Sequence, residues 1–195
     1  MPIIGLLADG IMSLRKKSAK NKAKKNFETQ TVSYQNKFAI DIPVILKSTS
    51  KLSKEASVQF YNKTLDIGVV VIEEPKDEFL TEWNNLQHLI YEAGQAAVPV
   101  KDTLLDKFMS VALFSMFSGE DVEPANYQSR FINGMPAVSV EVLKKRTFTK
   151  DASYTHITCI EGRRTLYQVI AIVGGKSITD FSSRLAEVAS TLREL

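Results

Sequence analysis

Cys159, His88 and His156 are the side chains best suited to nucleophilic or metal chemistry in this chain, and they are few. Cys159 has no second cysteine to pair with and sits in the alternating apolar run SYTHITCI, so a buried thiol is expected. One cysteine and two histidines, with no acidic residues at ligand spacing beside them, leave too little for a zinc site. His156, in YTHITC, shares a strand face with Tyr154 and Thr158, where an exposed ring is one expectation. A small hydrolase built on it would need a serine on a strained elbow, and G-x-S-x-G is absent. His88, between Gln87 and Leu89 on a helical stretch, reads as a surface or interface residue. AIVGGKS resembles a phosphate loop, but Ile170 stands where a P-loop needs glycine, so a Gly-Gly turn into a helix explains it. A hairpin turn likewise accounts for the sequon Asn62-Lys63-Thr64. No catalytic residue, cofactor or metal is expected, and the chain is read as a non-enzyme.

Charge is unevenly placed. The formal net charge is +3, but residues 1–26 carry seven Lys/Arg and one acid, which leaves the remainder slightly acidic. Ahead of the cations run Ile4, Leu7, Ile11 and Leu14, spaced 3, 4 and 3 on a helix. Gly5 and Gly10 weaken that helix by about 1 kcal/mol each, so it should not hold alone. A secretory signal has its cations first and a membrane span needs about 20 apolar residues, so neither is expected here. Three uses compete for the arm. A nucleic-acid arm would use the lysines and ignore the stripe, and is set aside. An interfacial anchor on an anionic membrane would use both. A helix docking on protein would use the stripe, with Lys16–Lys25 as a solvated spacer. Docking is preferred, because Asp9 interrupts the stretch and no Trp or Phe lies in the stripe. LKKRTFTK, with Arg163 and Arg164, reads as a solvated strand end with edge lysines.

The elements that would position these residues follow from periodicity. At 195 residues, 44% hydrophobic, the chain can fill a core without staples. Residues 1–26 read as a basic amphipathic arm and 27–195 as a single α+β domain. FETQTVSY and FAIDIP flank the turn QNK, and ASVQFYN and IGVVVIEE flank another, the latter expected to be a central strand. After Pro75 the period turns helical over 76–94, with Phe79, Leu80, Trp83, Leu86 and Ile90 on one face. A second helix is expected near 100–118, capped by Asp102. Its centre, FMSVALFSMF, is apolar almost all round, which marks a buried helix or one whose second face meets a partner. Phe108, Phe114 and Phe117 are the candidate contacts there. Asn133-Gly134 between alternating runs marks a hairpin, SYTHITCI and TLYQVIAIV a second. Phe181, Leu185, Val188, Leu192 and Leu195 complete a terminal helix over 177–195, capped by Ser177 or Thr179. The expected architecture is one mostly antiparallel twisted sheet with helices packed on it.

FAIDIP, FINGMPAVSVEV, TLYQVIAIV and the terminal amphipathic helix together resemble the PsbP-like superfamily, its DcrB-like bacterial branch in particular, over residues 27–195. The resemblance implies an α/β/α sandwich and a non-catalytic role as a protein-binding subunit, accessory factor or chaperone-like adaptor, and carries over no catalytic residue. Many bacterial members are secreted or lipid-anchored, and this chain departs in having neither signal nor lipobox. The function expected is a protein-interaction module of a larger assembly, attached through Ile4, Leu7, Ile11 and Leu14. The alternatives are an adaptor shielding an apolar helix of a client against FMSVALFSMF, and a peripheral membrane protein. A cytoplasmic location is expected, at the membrane surface if the arm meets lipid.

Overall fold

The computed structural model describes residues 27–92, 103–117, 120, 122, 124–144 and 152–195. Ile4, Leu7, Ile11 and Leu14, the arm lysines, Asp102 and all of LKKRTFTK beyond Lys144 lie outside these residues. Along the chain run β1 (Thr29–Tyr34), β2 (Phe38–Pro43), β3 (Lys47–Ser48), β4 (Val58–Asn62) and β5 (Ile67–Pro75). Then come α1 (Lys76–Glu92), α2 (Leu104–Phe117), β6 (Pro124–Ile132), β7 (Met135–Lys144), β8 (Ser153–Glu161) and β9 (Thr165–Gly174). The chain closes with α3 (Ile178–Ala186), a 3-10 turn over Glu187–Thr191 and β10 (Arg193–Glu194).

The strands form two sheets where one was expected. Seven lie in the order β3-β4-β5-β9-β8-β7-β6 and three in the order β1-β2-β10, and every pair is antiparallel. The β-branched β5 is a central strand as expected, paired with β4 on one side and β9 on the other. The hairpin signals hold. Asn133 and Gly134 both take positive φ, 49° and 81°, as the right-handed strand twist requires of a two-residue turn. From β5 the chain crosses one sheet face as α1 and α2, reaches the far edge at β6, and returns by hairpins to pair β9 with β5.

Alternation sends each strand's side chains into one of two cores. Val69, Val71, Tyr167, Val169 and Ile160 join Phe38, Ile40 and Ile42 of β2 and Phe181 and Leu185 of α3. On the opposite face Val70, Ile157, Cys159, Leu166 and Ile170 join Phe79 and Trp83 of α1 and Phe108, Met109 and Leu113 of α2. The layers are thus α1 and α2, the large sheet, then α3 with the small sheet.

Two helix ends and one helix face differ from expectation. α2 begins at Leu104 with a reciprocal cap: the Thr103 amide donates to the Asp106 carboxylate, and the Asp106 amide donates to the Thr103 hydroxyl, each at 3.2 Å. On α1, Phe79, Trp83 and Ile90 are buried, but Leu80 is 45% exposed. The terminal helix does not run to Leu195. The Ser190 and Thr191 hydroxyls donate back to the carbonyls of Glu187 and Val188 at 2.6 and 2.7 Å, competing with regular helix bonding, and the turn tightens. The Asn133 amide then donates to the Leu192 carbonyl at 2.7 Å, and β10 pairs with β2. Leu192 is fully buried all the same, while Leu195 is 63% exposed, and Ser177 makes no side-chain cap bond.

Candidate functional site: an acidic-rimmed groove

On one face of β5, Gly68, Val70, Ile72 and Glu74 stand opposite Ile172, Ile170, Gln168 and Leu166 of β9. α2 packs over β7 and β8 on this face, so among the described residues the β5–β9 half is left as the floor of a groove. Val70 and Ile170 form the closely covered base, and Ile72 and Ile172 are half-buried. One wall is α2, through Val111, Ala112, Ser115 and Met116. The other is α1, through Glu78, Glu82 and Leu86, and the loop between β3 and β4 closes an end with Leu52, Ser53 and Glu55. The volume is about 600 Å³.

The rim carries one sign. Glu74, Glu78 and Glu82 follow at intervals of four, so the last two share a face of α1 directly after the strand that presents the first. Burial holds the Glu74 carboxyl above its ordinary value, and the charges of Glu82, Glu55 and Glu78 push it the same way. Its neighbour Glu73 belongs to the opposite sheet face, where Lys37 pairs with it at 2.7 Å. Among the described residues, no three His, Cys, Asp or Glu side chains converge to hold a metal ion. The rim is therefore a field and not a chelate: it repels anions and attracts a cation that also has apolar surface to bury.

The residues singled out from sequence fall elsewhere. Phe108 is fully buried, edge-on to Phe79 at 5.1 Å, and Phe117 is 4% exposed with the Lys144 ammonium 5.0 Å from its ring centre. Neither has side-chain surface to give a partner. Phe114 is half-buried beside Phe117 over a dent of about 30 Å³, away from the groove. Among the described residues, the aspect of α2 that faces the groove is Val111, Ser115 and Met116, which sequence reasoning did not single out. So too with the rim glutamates, for which the four-residue spacing of Glu74, Glu78 and Glu82 was the available signal.

His156 is buried, correcting the exposed reading, and its Nδ1 lies 3.3 Å from the Thr158 hydroxyl. Burial lowers its affinity for a proton, the Glu141 charge opposes this and Arg130 adds to it, and the ring lines no part of the groove. His88 is exposed on α1. Cys159 is fully buried and free, and burial pushes its thiol far up. The glycines after β9 make a turn, Gly175 taking φ 47°, at the end of an antiparallel strand and not in the parallel setting of a phosphate loop. Asn62 caps its own turn, its side-chain oxygen accepting from the amides of Thr64 and Leu65 at 3.1 Å. No helix among the described residues is long and apolar enough to cross a membrane.

A sheet covered by two helices on one face and by a helix and a small sheet on the other defines a PsbP-like α+β sandwich. Among solved structures, cyanobacterial PsbP (CyanoP) from Synechocystis is similar at 15% identity, over 87% of this chain and 94% of that one, with a TM-score of 0.50. The Ran-binding protein Mog1p of Saccharomyces cerevisiae is similar at 8% identity, over 86% and 96%, with a TM-score of 0.47. LpqN of Mycobacterium tuberculosis, involved in cell envelope biogenesis, is similar at 8% identity, over 89% and 94%, with a TM-score of 0.45. No family model and no curated protein sequence matches the chain.

Proposed function

We propose that the protein is a non-catalytic interaction module whose groove binds a cationic amphipathic helix of a protein partner. The observation that carries this reading is the pairing of an aliphatic floor with a rim of glutamates in one groove of about 600 Å³. A helix presents an apolar stripe three or four residues apart, which suits the floor, and flanking lysines or arginines suit the rim. An uncharged apolar helix would leave Glu74 desolvated and unpaired, and an acidic one would be repelled. The adaptor expectation, which gave the whole of FMSVALFSMF to the client, is narrowed in this reading to Val111, Ser115 and Met116.

The test uses a fluorescent peptide with leucines at helical stripe positions and lysines elsewhere, added to the full chain and read by anisotropy. Saturable binding that weakens with salt is expected. Reversing two rim charges with Glu78→Lys and Glu82→Lys should weaken it at least tenfold, as should Met116→Asp on the wall. Equal affinity for wild type and both variants would place the peptide elsewhere and defeat the proposal.

The N-terminal stripe is the second recognition element of this reading, docking the protein on a larger assembly with Lys16–Lys25 as spacer. A membrane anchor would behave differently, since each lysine near an anionic surface contributes about 1 kcal/mol. The docking reading expects no salt-sensitive sedimentation with phosphatidylserine vesicles. Sedimentation that is abolished by neutralising Lys16, Lys17, Lys20 and Lys22 would assign the arm to lipid instead.

A further inference from the structure

We infer that the groove's resident occupant is the chain's own N-terminal arm, residues 2–25, docked in cis. The inference rests on the groove being a site for a cationic amphipathic helix, and it names the helix.

Charge complementarity comes first. The arm concentrates seven cations between Arg15 and Lys25 in a chain whose remainder is slightly acidic. The groove gathers Glu55, Glu74, Glu78 and Glu82, and no cation is among the causes that set the Glu74 carboxyl, only burial and the three other glutamates. An arriving ammonium would therefore remove a penalty already present in the fold, and not merely add a surface ion pair.

Pattern comes second. Ile4, Leu7, Ile11 and Leu14 make a narrow stripe with no large aromatic ring, matched to a floor of Val70, Ile72, Ile170 and Ile172. A helix of that length with two glycines needs a surface to form on. The stripe precedes the cations, so with the stripe on the floor the lysines follow at the rim.

Reach comes third. The described chain begins at Phe27, whose ring packs on Phe181 of α3 at 6.1 Å on the sheet face opposite the groove, and the Val44 amide donates to the Glu28 carbonyl at 2.9 Å, three residues before β3 begins at Lys47. β3 is the edge strand, and β5, the near side of the floor, is two strands in. Rounding the edge from that layer to the groove covers two layer spacings and two strand spacings, roughly 30 Å. Residues 15–26 extended span about 40 Å. The β3–β4 loop that carries Leu52 and Glu55 lies on the way. A tether this short holds its end at an effective concentration on the order of millimolar, so a weak intrinsic affinity suffices for occupancy in cis.

Self-occupancy makes the arm and the groove mutually dependent. A partner helix must displace the arm to enter, and an arm drawn away to an assembly leaves the groove open. Two experiments on the full chain test this. In the first, carbodiimide, which joins amines to carboxylates without a spacer, is applied across a dilution series and the products are mapped by mass spectrometry. Links from Lys16–Lys25 to Glu55, Glu74, Glu78 or Glu82 are expected in species of monomer mass, at a yield independent of dilution. Links to other carboxylates alone, or links found only at dimer mass because a second copy supplies the arm, would overturn the cis proposal. In the second, the leucine–lysine peptide is titrated against wild type and against Leu7→Asp with Ile11→Asp. The doubly substituted chain should bind at least tenfold more tightly, its groove being vacated. Equal affinities would overturn self-occupancy and leave the groove reading standing, and no binding by either chain would end both.

Discussion

Glu74 and Glu73 are neighbours in sequence and opposites in role. Strand alternation gives Glu73 to one face, where Lys37 meets it, and Glu74 to the groove, where other carboxylates surround it. The folded state raises the Glu74 carboxyl above its unfolded value, so the native protein holds this proton more firmly than the unfolded chain does. The contribution to stability is greatest below the unfolded carboxylate range, about pH 4, falls as pH rises through the raised folded value, and is flat beyond it. In a chain whose arm is released by Leu7→Asp with Ile11→Asp, adding Glu74→Gln should therefore raise the melting temperature at pH 7, and the difference should vanish as pH approaches about 3.5. A variant that melts lower at pH 7, or a gain that ignores pH, would show that Glu74 is not under strain. The same substitution should weaken binding of the leucine–lysine peptide. The two results together would mark Glu74 as a carboxylate kept for binding at the expense of the fold.

α2 shows at the element scale why the site was only half legible in the sequence. FMSVALFSMF is apolar on nearly every side, so its period has little phase, and nothing in the string says which face the sheet takes. Packing decides: Phe108 meets Phe79 and Met109 is fully buried, which turns Val111, Ser115 and Met116 outward. Phe108→Ala should cost about 3–5 kcal/mol in chemical denaturation, as deletion of a closed-in ring does. Phe114→Ala, at a half-buried ring, should cost less than half as much, and near-equal losses would mean that Phe114 is as deeply seated as Phe108. The hairpins were legible because Asn-Gly and strict alternation are local signals. The end of the chain was not. Phe181, Leu185, Val188 and Leu192 keep helical spacing, but Leu192 reaches the core from an extended backbone, with ψ 131°. What ends the helix is the carbonyl-seeking hydroxyls of Ser190 and Thr191 and the amide of a distant hairpin residue, Asn133. The groove was hidden for a related reason, since its floor joins two strands that no local pattern brings together.

At the scale of the whole molecule, the middle of the large sheet is made by partners far apart in the chain. β5 and β9 pair from Ile67 with Val173 to Pro75 with Thr165, roughly a hundred residues apart, whereas β6–β7 and β8–β9 close across tight turns. Closing so long a loop is entropically slow. The two hairpins should gain amide protection first in pulse-labelled hydrogen exchange during refolding, and the β5–β9 ladder last. Protection of β5 against β9 before the hairpins would contradict this order. The timing bears on the groove itself. On a chain emerging from the ribosome, Val70 and Ile72 are made long before Ile170 and Ile172, and half a floor offers a helix little to bury. The surface comes into being only when β9 has docked on β5, so possession of a working groove certifies that the two ends of a loop of roughly a hundred residues have met. A helix that binds the groove as proposed would find no floor on a copy in which β9 has not yet paired.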